Sequence, residues 1–131
     1  MTLSVVPVYA AIFGLVFVVL SVRTLRVRRK AKVAVGDGGN IELLRASRAH
    51  ANFAEYTPFA LLLIAFMELK SFSYLLIHIH CLVLLVGRCS HAYGVSQTPE
   101  NFRFRVVGMG LTLPTILSAS LLLIVLPLFG R

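Results

Sequence analysis

The sequence predicts an all-α integral membrane protein, a four-helix bundle of up-down topology, on two observations. Hydrophobic residues make up 58% of the 131, against about half in an ordinary soluble chain. Runs with no charged residue cover positions 3–22, 71–87 and 106–130, which are 20, 17 and 25 residues long. About 17–25 apolar residues cross a bilayer, so these runs supply three spans. A fourth helix is expected between the first two runs, and one domain accommodates them all.

The first helix is expected over residues 3–29, with Pro7 early enough to be tolerated. A cleaved signal peptide is not expected: no positive segment precedes the apolar run, the run exceeds about 7–15 residues, and the basic cluster follows it. That cluster, Arg23 to Lys32, leads to Gly36, Gly38 and Gly39, which mark a loop. Asn40 is the expected N-cap of the second helix, and Glu42 suits the positive end of its dipole.

The second helix is expected over residues 41–69. Its uncharged part, residues 56–67, is only 12 long and cannot span alone. It crosses only if the half from Arg45 to Glu55 also lies within the protein, where charged groups must face the bundle interior or a wet cavity. Pro58 is expected to bend it. Glu68, Lys70 and Ser71 to Ser73 read as a short turn. The third helix is expected over 72–93, and a loop over 94–101 follows. Thr98-Pro99 reads as an N-cap followed by proline at the first helical position. The fourth helix is expected over 99–128, with Gly108 and Gly110 allowing close packing and Pro114 introducing a kink.

Two cysteines, Cys81 and Cys89, sit eight apart on one helix, too far to bridge, so both are expected as buried free thiols. His78 and His80 point about 200° apart on a helix, which argues against a metal, and His80 is expected to bond within the bundle. The net charge of +8 does not imply nucleic acid, because the basic residues flank the apolar runs, where lipid head groups and topology account for them. Of 13 Lys and Arg, 11 fall at the helix ends and loops after the first and third helices, and only Lys70 and Arg131 fall opposite. The positive-inside rule then places both termini outside the cytoplasm and the basic ends within it.

The stretch from Arg45 to Pro58 holds the chemistry. With Arg45 at 0° and about 100° per residue, Arg48, Asn52, Glu55 and Tyr56 all fall on one face about 100° wide, and His50 falls opposite. Arg88 and His91 from the third helix, with Arg103 and Arg105 at the foot of the fourth, are expected beside that stripe. Arginine forks suit carboxylates or phosphates, while Glu55 and Asn52 suit an ammonium or amide. Glutathione carries all these groups, and an arginine beside its sulfur would favour the thiolate. A buried polar network that only fixes helix packing is the structural alternative.

The string R-A-H-A-N-F-A-E-Y-T-P over residues 48–58 resembles the second-helix signature of the MAPEG superfamily, membrane-associated proteins in eicosanoid and glutathione metabolism. Four helices, a basic first loop and Arg88-x-x-His91 extend the resemblance over nearly the whole chain. It implies a homotrimer in a membrane, here a bacterial inner membrane, with glutathione bound between subunits near the cytoplasmic face. It further implies transfer of glutathione to a lipophilic small molecule, or reduction of a hydroperoxide, with no metal. Arg48, Asn52 and Glu55 match glutathione-holding positions, and Tyr56 matches a tyrosine found in part of the family. His91 resembles a polar contact, and Arg45 and Arg88 complete the wall. Arg105 matches the arginine that stabilises the thiolate, with Arg103 the alternative. Ala51, Val95 and Val106 depart from the pattern of the prostaglandin and leukotriene enzymes, where an arginine, a tyrosine and a serine stand; Tyr93 faces about 160° away from Val95. A non-catalytic lipid- or glutathione-binding member is the other functional class left open.

Overall fold

The computed structural model describes residues 2–128, with the backbone alone at 127–128. Four helices follow one another: α1 (Val6–Ala31), α2 (Ile41–Leu69), α3 (Tyr74–Ser96) and α4 (Phe102–Leu128). Three of them, α1, α3 and α4, are long and apolar enough to cross a membrane. The second is 29 residues long, but its charged half keeps it below that threshold, as its sequence leads one to expect. Arg131, assigned to the side opposite the basic loops, lies outside the described residues.

The helices form two hairpins, α1 against α2 and α3 against α4, joined mainly through α2 and α3. The core is a column of Phe13, Leu20, Phe53, Ile64, Met67, Ile77, Cys81 and Leu84, all buried. Outward faces of α1 and α4 carry Leu15, Val19, Leu117 and Ile124, which suits a lipid-facing surface. His50, on the face of α2 opposite the polar stripe, turns to α1. Its Nε2 lies 3.0 Å from Ser21 Oγ and its ring stacks on Phe17 at 4.7 Å. His80 bonds inside the bundle, to Leu76 O and Ser118 Oγ. Both cysteines are free; Cys81 is buried as expected, whereas Cys89, also expected to be buried, is exposed, because its side of α3 is turned away from the core.

Helix ends follow local chemistry. Asn40 caps α2 by accepting the Leu43 N–H at 2.9 Å, and Ser73 caps α3 by accepting that of Leu76. Lys32 ends α1 in the left-handed region, and the Arg28 guanidinium donates to the carbonyls of Val33, Ala34 and Gly36, which holds the glycine loop closed. The α3 helix runs on to Ser96, where Arg23 of α1 donates to both Ser96 Oγ and its carbonyl.

Four further expectations are corrected. The α1 helix begins at Val6, not residue 3, because its cap comes from a distance. Val5 has no side-chain cap of its own. Instead the Glu68 carboxylate accepts the N–H groups of Ser4 (2.7 Å), Val5 (2.7 Å) and Val6 (2.8 Å), and the Ser4 hydroxyl (3.0 Å). Glu68 is therefore the last-turn residue of α2 that caps α1, and it is buried, where a turn residue was expected. The α4 helix begins at Phe102, not Pro99, because Asn101 takes the capping role. Its Oδ1 receives the Phe104 N–H, and its own N–H is held by Gly94 O at 3.0 Å. Finally, Gly110 faces open space, so of the two α4 glycines only Gly108 makes a close approach.

That approach sets the α3–α4 geometry. A Cβ on Gly108 would stand 2.5 Å from His91 N and 2.6 Å from Gly87 O. On Gly94 it would stand 2.7 Å from Arg105 N. Gly87 and Gly94 on α3 thus meet Gly108 and the first turn of α4 nearly backbone to backbone. The site described next rests on this contact, because it brings His91 and Arg105 to the same end of the bundle.

Candidate functional site

A polar cleft of about 290 Å³ opens at the end of the bundle that carries the basic loops. Arg45, Arg48 and Asn52 of α2 form one wall, His91 and Val95 of α3 a second, and Arg105 with Glu100 the third. This is a small cleft, at the lower bound of about 300–1,000 Å³ for small-molecule sites. Three guanidiniums against one carboxylate leave the cleft positive, which suits an anionic ligand.

Behind the cleft lies Arg88, whose side chain reaches no solvent at all (0% exposed). Its Nη2 donates to Asn52 Oδ1 and, at 3.4 Å, to His91 Nδ1. Its Nη1 donates to Thr112 Oγ1 at 3.4 Å and approaches Met109 Sδ at 3.7 Å. The guanidinium carbon stands 5.3 Å from the centre of the Tyr56 ring, a cation–π contact. A guanidinium can only donate, so each of these partners is fixed as an acceptor. In a neutral His91 ring the Nδ1 that accepts from Arg88 leaves the proton on Nε2, free to donate to a ligand. Arg88 therefore orients Asn52 and His91 rather than touching the cleft's contents, and its own charge adds to the positive field there.

The sequence-predicted residues thus divide into three groups. Arg45, Arg48, Asn52, His91 and Arg105 line the cleft. Arg88 and Tyr56 support it from beneath. Glu55 and Arg103 are exposed and stand apart from it in this protomer. Glu55 shares the outer face of α2 with Arg48, Leu62 and Phe66, all exposed. Tyr93 packs edge-on against Phe104, with ring centres 5.1 Å apart, on the outside, and Val95 takes the wall position. Glu100 was missed. Its Oε2 lies 3.0 Å from Arg105 Nη1 and 3.6 Å from Arg45 Nη1. The available signal was scarcity: it is one of only 5 acidic residues among 131, and it stands five positions before Arg105.

Fold and cleft together define a class: a multi-helix membrane protein with an arginine-lined polar cleft at one end of the bundle. The model of the MAPEG family matches residues 6–125, and the chain belongs to that family. It is similar to the inner membrane protein YecN of two Escherichia coli strains, at 40% identity over 104 residues, which cover 79% of this chain and 78% of YecN. No solved structure matches it significantly.

Proposed function

We propose that the protein is a glutathione-dependent transferase or peroxidase of the inner membrane, working as a homotrimer with its cleft toward the cytoplasm. The observation that carries this is the convergence of Arg45, Arg48 and Arg105 with Asn52 and His91 on one polar cleft. Two guanidiniums and the Asn52 amide suit the carboxylates and peptide groups of glutathione, and the third guanidinium suits its sulfur. Arg105 stabilises the thiolate. The thiolate then attacks an electrophilic carbon of a membrane-dissolved substrate and displaces its leaving group. With a lipid hydroperoxide, two glutathiones are instead oxidised to the disulfide as the O–O bond is cleaved to an alcohol and water. The protein contributes position and charge, and no side chain becomes a nucleophile.

The trimer enters because one protomer gives a cleft at the small end of the range while leaving Glu55 outside it. A neighbouring α2 laid along the exposed Arg48–Glu55 face would close the cleft and bring that carboxylate to the ligand's ammonium. Glu55→Ala is accordingly expected to weaken glutathione affinity about tenfold, the loss of one charge-assisted contact. An unchanged affinity in equilibrium binding would remove Glu55 from the site.

The decisive measurement is glutathione binding to the detergent-purified protein, followed by the ultraviolet absorbance of the bound thiolate. Arg105→Ala is expected to retain binding, lose the thiolate band and reduce turnover by about 10²-fold or more, the scale of removing one oriented charge-stabilising donor. Unchanged turnover would dismiss Arg105 from its role. A second reading, a binding protein without catalysis, is favoured by Val95, which lines the cleft where the catalytic relatives of the resemblance carry a tyrosine. Binding with no thiolate signal in the unaltered protein would select it.

A further inference from the structure

The anion site is not empty of anions: the chain supplies one of its own. Glu100 Oε2 sits 3.0 Å from Arg105 and 3.6 Å from Arg45, where a ligand's negative group would have to go. The side chains are partly exposed, 33% for Glu100, 46% for Arg105 and 23% for Arg45. Ion pairs this open to water are weak, so the contact can be exchanged for a better one. The backbone beside Glu100 is held, because Asn101 N–H bonds Gly94 O at 3.0 Å. A side-chain rotation is therefore enough to release the carboxylate, with no loop movement. Arg45 Nε is meanwhile buried without a partner, an unused donor in the same wall.

Resting on the glutathione reading above, we propose that Glu100 is a resident anion that holds Arg105 until the glutathione sulfur displaces it. It thereby governs how much of the bound glutathione exists as thiolate. The charged and titratable groups around it are Arg45 and Arg48 from α2, His91 from α3 and Arg105 from α4. While Glu100 remains close to Arg105 it offsets part of that cation's field and opposes a second negative charge. The arrangement keeps the site from generating thiolate freely, and only a ligand anchored elsewhere, by Arg48 and Asn52, competes with it.

The test uses full-length protein in detergent, saturated with glutathione, with thiolate absorbance followed against pH. Glu100→Gln removes the charge and nearly keeps the shape. It is expected to lower the midpoint of thiolate formation by about one pH unit, a tenfold change in the ionisation constant. Glu100→Ala should do the same, so that the test survives if one variant folds poorly, and Glu100→Asp should keep the original midpoint. S-methylglutathione, which cannot ionise at sulfur, should bind the original protein and Glu100→Gln alike. An unshifted midpoint in both neutral variants overturns the proposal. So does a loss of affinity for both ligands in Glu100→Gln, which would make Glu100 the partner of the ligand's ammonium. If the unaltered protein binds no glutathione at all, it is the underlying glutathione reading that fails, a result distinct from either.

Discussion

Glu68→Ala is expected to destabilise the protein by about 3–5 kcal/mol, since it strips the acceptor from the buried N–H groups of Val5 and Val6, at about 1–3 kcal/mol for each one left unpaired, and from the exposed Ser4 as well. The first N–H groups of any helix have no intrahelical partner, and α1 starts with Pro7 and apolar residues that offer none. The carboxylate at the end of α2 accepts the N–H of Val6, the first residue of α1, together with the N–H groups of Ser4 and Val5 just ahead of it and the Ser4 hydroxyl, and as an anion it also suits the positive end of the α1 dipole. Glu68→Gln keeps one acceptor oxygen but turns an NH₂ toward donors, and about half of the loss is expected. Thermal unfolding in detergent micelles measures both. A loss under about 1 kcal/mol for the alanine variant would mean that water at the membrane surface serves α1 as well as Glu68 does.

Gly108→Ala is the second substitution with a large expected effect. The added methyl would meet His91 N at 2.5 Å and Gly87 O at 2.6 Å. Both are backbone atoms within a helix and cannot rotate aside, so α3 and α4 must separate along their best-packed seam. The cost is expected at about 3 kcal/mol, the upper part of the overpacking range. On the proposed function, glutathione affinity should fall with it, because His91 and Arg105 are placed by that contact. Gly110→Ala is the control. Two residues away on the same helix, it faces open space and replaces a poor helix former, so it should raise stability by a few tenths to about 1 kcal/mol. Equal behaviour of the two variants in thermal unfolding would show that helix propensity, not the seam, dominates at these positions.

These two residues mark where the sequence stopped being legible. Periodicity assigns Arg45, Arg48, Asn52 and Tyr56 to one face and His50 to the other, because all lie within four turns of one rigid helix. The structure places His50 against α1 and the others toward α3 and α4. Capping chemistry places the start of α2 at Ile41, because Asn40 acts on residues three positions away. Glu68 was unreadable by the same means. Its partners are 62–64 positions distant, and only the pairing of α1 with α2 brings them together. Gly108 and Gly110 look alike in sequence, and which of them faces α3 depends on how α4 is rotated about its axis. The Thr98-Pro99 pair carried a genuine helix-start signal that lost to Asn101, whose backbone is tied to Gly94. For Glu55 and Arg103 the face was readable but the occupant opposite was not, since nothing within one chain says what an outward side chain meets.

The Glu68 cap also bears on how the chain enters the bilayer. During synthesis α1 is made first, and the Val6 N–H meets its protein acceptor only when the chain has run on 62 positions to Glu68. Until α2 carries that carboxylate back, water is the acceptor open to this end of α1. Insertion of the first hairpin as a pair, rather than helix by helix, satisfies both ends in a single step.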